Sequence, residues 1–185
     1  MAKILIPLAQ GCEELEAVTI IDLMRRAQFE VITAGLEAEI TPVRASRGTV
    51  LIPDTTLNDV VDQDFDMAVL PGGLPGANHL ASDSRLRRKL QAMAAAGQYT
   101  AAICAAPKAL AQAGLLEGKR VTSYPGALED YAITAMRYVE ESIVVDGRVA
   151  TSRGPGTAMD FTLTLIELLG GKTLRDKVEG PLLRP

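Results

Sequence analysis

At 185 residues, 48% hydrophobic and 23% charged, the chain has the composition of a folded globular protein, and residues 1–185 are expected to form one domain around one core. A formal net charge of −4 gives no electrostatic basis for binding nucleic acid or an anionic membrane. Two cysteines, Cys12 and Cys104, are too few for a disulfide framework, and the lone His79 cannot build a multi-histidine metal site, so a reducing, cytoplasmic setting without metal or cofactor is expected.

The N-terminal MAKILIPLAQGC has the order of a bacterial lipoprotein signal, but its apolar core is only about six residues and contains Pro7, short of the roughly 7–15 a signal needs. KILIPL (3–8) reads instead as a buried strand ending in a small-residue loop. Cys12 is expected in that loop, and an oxidative bridge to Cys104 stays open. Over residues 13–27 the period becomes helical, with Ala17, Ile20, Ile21, Met24 and Ala27 on one face and three glutamates near the start, where the helix dipole favours negative charge. EVITAG (30–35) is the next strand and closes a right-handed βαβ unit.

Residues 39–54 alternate and turn near Arg47-Gly48, which predicts a β-hairpin appended to the sheet. DMAVLPGG (66–73) is a strand running into a glycine-rich turn, and His79 follows in a loop or short helix at the surface. Residues 84–96 form a helix whose basic RLRRK (85–89) reads as a solvated face. YTAAIC (99–104) is a strand, 106–113 a helix, and RVTSYPG (120–126) opens with another strand. Residues 142–154 predict a hairpin about Asp146-Gly147. The apolar helix at 156–170 offers Leu163, Ile166 and Leu169 to the core. Strands alternating with helices imply an α/β fold with a mostly parallel sheet covered on both faces.

In such a sheet, ligands bind at the carboxyl ends of the strands. Three stretches converge there: GCEELE after the first strand, PGGLPG after the strand at 67–70, and CAAP after the strand at 99–103. Cys104 sits among alanines at a strand-to-helix turn, the setting of a nucleophile elbow, where bulky neighbours would collide. A helix N-terminus behind it would stabilise thiolate, and Pro107 suits that helix's first turn. Read without context, the same cysteine is a small apolar residue in a tight packing layer. A glutamate turned inward from the first helix would have its pKa raised and could hand a proton to sulfur. The period favours Glu13 over Glu16 for that place and does not settle it. Gly73 is a natural oxyanion donor beside Cys104. Neither PGGLPG nor SRGPG (152–156) matches a nucleotide-binding fingerprint.

Four motifs in register, GCEELEAVTIIDLMRRA, VLPGG, AAICAAP and TSRGPGTAMDF, resemble the ThiJ/PfpI superfamily over essentially the whole chain, most closely the branch of the parkinsonism-associated deglycase and its bacterial relatives. The resemblance implies a flavodoxin-like three-layer α/β sandwich and a homodimer. It also implies a catalytic cysteine at Cys104, a buried glutamate at Glu16, and oxyanion amides at Gly73 and Ala105. Arg26, Arg47 and Arg153 match arginines near the pocket or the dimer contact. Two departures bear on chemistry. Tyr124 stands where many relatives carry histidine, and tyrosine is a poor base at neutral pH. Ala105 stands where the protease-like branch has histidine, which removes the base a Cys–His protease needs. The implied activity is detoxification of small reactive α-oxoaldehydes, or deglycation of their early protein or nucleotide adducts, with a redox sensor or chaperone using the same cysteine as the rival.

Overall fold

The computed structural model describes residues 1–184. β1 (Lys3–Leu8), β2 (Glu30–Gly35), β6 (Met67–Leu70) and β7 (Tyr99–Ile103) fall on the apolar runs read from the sequence. β5 (Thr55–Thr56) adds a short edge strand that the sequence did not announce. With β10 (Ile143–Asp146) and β11 (Val149–Ser152) they form one seven-stranded sheet in the order β10-β11-β7-β6-β1-β2-β5. All neighbours pair in parallel except β10 with β11. The interior strands are short and apolar because helices cover both their faces.

On one face α1 (Glu14–Arg26) and α6 (Ala158–Glu179) pack against Ile4, Ile6, Met67, Val69 and Ile103. On the other lie α2 (Leu57–Val60), α3 (Leu74–Ser82), α4 (Ser84–Ala95) and α5 (Pro107–Gln112), over Leu5, Ala68, Leu70 and Ala102. Consecutive residues of one strand thus feed opposite cores, as the pleat requires. This is the flavodoxin-like α/β sandwich. Leu163 and Ile166 are buried, and Leu169 packs half-exposed at the margin of the same core. α6 runs on to Glu179, past the expected end at 170, through a break at Gly171 (φ 78°).

Four local expectations need correction. β3 (Val43–Arg44) and β4 (Val50–Leu51) form the predicted hairpin, but as a separate two-stranded ladder rather than an extension of the sheet. Pro42 and Pro53 flank it, and the missing N–H of each proline weakens any continuation of pairing. β8 (Arg120–Val121) likewise pairs only with β9 (Arg137–Tyr138). The turn of the last hairpin is Gly147-Arg148, one residue later than expected, because Asp146 still pairs with Val149. Gly147 (φ 63°) takes the first turn position, which calls for positive φ. Finally, RLRRK is a solvated face only in part: Arg88 is exposed and Arg87 half-exposed, but its two ends are engaged. Arg85 donates to the Leu36 carbonyl at 2.7 Å and to Asn58 at 2.6 Å, and Lys89 is buried over the Phe65 ring at 5.4 Å. Among the described residues, no helix is long and apolar enough to cross a membrane.

Candidate active site

β7 ends at Ile103, and the chain turns sharply into α5. Cys104 makes that turn with φ 63°, a left-handed conformation that costs a non-glycine residue ~1–3 kcal/mol. Two distant segments hold it there. The Cys104 amide donates to the Ser152 carbonyl at 3.0 Å, and its carbonyl accepts the Tyr124 amide at 2.8 Å. Ala105 and Ala106 are buried beside it, and Ala105 also lines the cleft above the sulfur.

Glu16 approaches from α1. Glu13, the residue the helical period favoured for the interior, is instead the N-cap, and its Oε2 accepts the Glu16 amide at 2.7 Å. Capping turns Glu13 outward to half-exposure and leaves Glu16 fully buried. Glu16 Oε2 accepts the Gly72 amide at 2.7 Å, while Oε1 has no nitrogen or oxygen donor among the described residues. The carboxyl group faces the Cys104 thiol closely enough that each group shifts the other's titration. Burial drives Glu16 up from 4.5 to about 7, against the pull of the Gly72 amide and of the thiol.

The sulfur does not behave as the helix-dipole expectation had it. Burial first, and the facing Glu16 carboxylate second, push Cys104 up to about 12, and the amides of Gly73 and Ala105, both directed at the sulfur, only partly offset this. The helix behind it has only six residues. Burial and the facing carboxylate thus both favour the neutral thiol, and Glu16 is the group placed to take its proton.

Gly72 was missed as a site residue, although it stands in the quoted PGG. A Cβ there would lie 2.6 Å from Cys104 Cβ and 2.7 Å from Glu16 Oε2. Only a glycine lets the turn after β6 pass between the two reactive side chains. Gly73 (φ 87°) is equally confined, since a Cβ would meet the Gly11 carbonyl at 2.4 Å. Glu14 was also missed. Its carboxylate accepts the amides of Arg47 (3.0 Å) and Thr49 (3.3 Å) and the Ser46 hydroxyl (3.1 Å); against the cost of desolvation, its own backbone amide first and these donors after it lower it to about 2. It ties the hairpin turn to the first turn of α1.

Above the sulfur opens a cleft of about 610 Å³. Gly73, Cys104, Ala105, Arg47 and Tyr124 all line it, joined by Lys108, which the sequence did not single out. Cys104 itself is 8% exposed. Arg153 lies off the cleft, in a shallower depression that includes Tyr124, and ion-pairs with Glu140 at 3.6 Å. Arg26 is not at the cleft. It sits in the last turn of α1, about 15 Å along the helix axis from Glu16, and pairs with Asp22 at 2.7 Å. His79 is exposed on α3, and Cys12 is a buried free thiol pushed up to about 12 chiefly by burial.

Fold and site together define a class: an α/β sandwich in which a strained cysteine at a strand-to-helix elbow faces a buried glutamate beneath an open cleft. The family model described as DJ-1/PfpI matches residues 2–168, and the chain belongs to that family. It is 45% identical over 181 residues to protein DJ-1 homolog A of Arabidopsis thaliana, covering 97% of this chain and 46% of the relative; the chain thus spans about half the length of that protein. Protein dj-1beta of Drosophila melanogaster is 42% identical over 97% of this chain and 95% of its own length. Its crystal structure superposes with a TM-score of 0.94 over the whole of both chains, at 40% identity. The oxidized DJ-1 of Toxoplasma gondii gives a TM-score of 0.92 at 38% identity, over 99% of this chain and 98% of the other. A Caenorhabditis elegans relative, 33% identical over 98% of this chain and 95% of its own, is called the glutathione-independent glyoxalase DJR-1.2.

Proposed function

We propose that the protein is a cofactor-independent, cysteine-dependent enzyme that converts α-oxoaldehydes such as methylglyoxal to hydroxy acids, or removes their early adducts from proteins or nucleotides. The observation that carries this reading is the Glu16–Cys104 pair at the floor of a cleft, with the carboxyl brought to about 7 and so able both to take and to return a proton at neutral pH. As Cys104 Sγ bonds to the aldehyde carbon, the thiol proton passes to Glu16 and the carbonyl electrons move onto oxygen. The amides of Gly73 and Ala105 are at hand for that oxyanion, donors of this kind being worth about 3 kcal/mol each. Glu16 protonates the oxygen, then takes the proton from the former aldehyde carbon to give an enediol and returns it to the adjacent ketone carbon, while the hydroxyl proton of the first carbon passes to the oxygen of the second. One carbon is oxidised and its neighbour reduced, so no external oxidant enters. Water cleaves the resulting thioester, releasing lactate and the thiol. Tyr124 in the cleft wall offers a hydroxyl for positioning rather than a base.

The worm glyoxalase among the relatives favours this chemistry. The test is lactate formation from methylglyoxal by purified protein, with loss in both Cys104→Ala and Glu16→Gln. No lactate from the wild type would remove the reading. The oxidized Toxoplasma relative favours a second role, in which peroxide converts Cys104 to sulfenic and then sulfinic acid beside Glu16; a gain of two oxygens on Cys104 without lactate turnover would select it. A cytoplasmic homodimer belongs to the same proposal. Leu15 and Val18 on α1, with Val50 and Ile52 beside the hairpin turn, are large exposed apolar side chains that a second copy would cover.

A further inference from the structure

A second concavity, of about 340 Å³, opens on the far side of Pro125 and Gly126, which line both it and the cleft over Cys104. The size is at the small end of ligand cavities, roughly 300–1,000 Å³. Apolar surface from Leu128, Met136 and Tyr138 lines it, and Glu129 and Glu140 are its only charged lining residues. The larger cleft differs, since there Arg47 and Lys108 balance Glu13 and Asp130. The wall between them is fixed in place. The Tyr138 hydroxyl donates to the Ser123 carbonyl at 3.2 Å, the β8–β9 ladder anchors the strand that carries Tyr138, and the Glu129 carboxylate stands over Gly126, 3.9–4.0 Å from where a Cβ would be. Glu140 is 79% exposed on its side chain, and its one ion pair, to Arg153, is long.

Apolar walls with two carboxylates and no cation in the lining, Arg153 reaching only Glu140 and from outside, match one common side-chain chemistry: a hydrocarbon stem with a positive head. A neutral apolar group would leave the two carboxylates unused, and an acidic one would be repelled. We propose that this cavity is a subsite for a lysine or arginine side chain of a peptide whose modified residue lies over Cys104. The stem would run along Leu128 and Met136, and the head would lie between Glu129 and Glu140, against the Tyr138 ring. On an extended peptide, residues advance about 3.3 Å each, so the basic residue belongs within the next few positions along the chain. The inference rests on the deglycation reading and deepens it, naming basic polypeptide segments as the substrate class.

Protein labelled with methyl-¹³C methionine provides the test, the Met136 resonance being assigned through Met136→Leu. Unmodified pentapeptides that differ only in carrying lysine or glutamate beside a central glycine are titrated in turn. The lysine peptide should shift Met136 saturably. Its affinity should fall about ten-fold in the Glu129→Gln/Glu140→Gln double variant, the size expected of two partly exposed charge contacts. Unmoved resonances of buried Met24, Met67 and Met93 report that the variant is folded. An equal response to the glutamate peptide, no response at Met136, or a free diamine binding as tightly as the peptide would overturn the proposal. This readout needs no turnover. Failure to form lactate from methylglyoxal therefore counts against the enzymatic reading alone, and failure of the titration against the subsite alone.

Discussion

Glu16→Gln isolates the perturbed carboxyl with little change of shape, because glutamine keeps an oxygen for the Gly72 amide. In the folded protein burial raises Glu16 from 4.5 to about 7. Between those two pH values the unfolded chain has released the proton and the folded chain still holds it. Stability from this group is therefore fully present below pH 4.5 and is lost as pH rises through about 7. At about 1.4 kcal/mol per unit, the loss over the window comes to about 3 kcal/mol. The acids held below their ordinary range, Asp54 and Asp83 among them, contribute with the opposite sign and at lower pH, so they do not fill this window. Urea unfolding of wild type and Glu16→Gln, at half-unit steps from pH 4.5 to 7.5, gives the difference in stability at each pH. Wild type should lose about 3 kcal/mol relative to the variant across the series. A flat difference curve, or one rising with pH, would refute the assignment of Glu16 as the buried, proton-holding partner of Cys104.

Three further outcomes follow from the same geometry. Gly72→Ala should abolish turnover and lower stability by about 1–3 kcal/mol, because its Cβ would press on both Cys104 and Glu16; an active, equally stable variant in thermal melts would contradict the 2.6 Å approach. Cys104→Gly should melt at or above Cys104→Ala, since alanine keeps the left-handed strain of ~1–2 kcal/mol while glycine adds ~0.4–1 kcal/mol of unfolded-state entropy; a lower melting temperature for the glycine variant would argue against strain at the elbow. Glu14→Gln should speed hydrogen exchange at the Arg47 and Thr49 amides. In wild type that protection should hold above pH 4.5 and fade as pH falls toward 2, where Glu14 takes up its proton, and unchanged exchange in the variant would break the link between Glu14 and the hairpin turn.

What the sequence disclosed depended on how local the governing forces were. KILIPL and YTAAIC became strands because an apolar run buried on both faces is a strong, contiguous signal, and EVITAG did so although its first half is only partly buried. Cys104 was legible because its alanine neighbours record the steric demand of the turn. Glu16 was not separable from Glu13 by period, since the choice turned on which glutamate capped α1, and only the family resemblance selected it. The acidity of the sulfur was misjudged because a local cue, the helix start, was weighed without the burial that long-range packing imposes. Gly72 and Glu14 escaped for a similar reason: their partners lie more than 30 residues away in the chain. RLRRK looked solvated along its whole length, which holds for Arg88 but not for its ends, because nothing in those five letters reveals that Leu36, Asn58 and Phe65 wait for Arg85 and Lys89.

The main-chain N–H and C=O of Cys104 are claimed by Ser152 and Tyr124, residues 48 and 20 positions downstream. An elbow fastened in this way is not a portable cassette. Grafting AAICAAP onto another strand–helix junction would carry the thiol without the two clasps that keep its backbone bent, and the loop would relax. An engineer wishing to transplant this nucleophile would have to move the last hairpin and the segment around Tyr124 along with it.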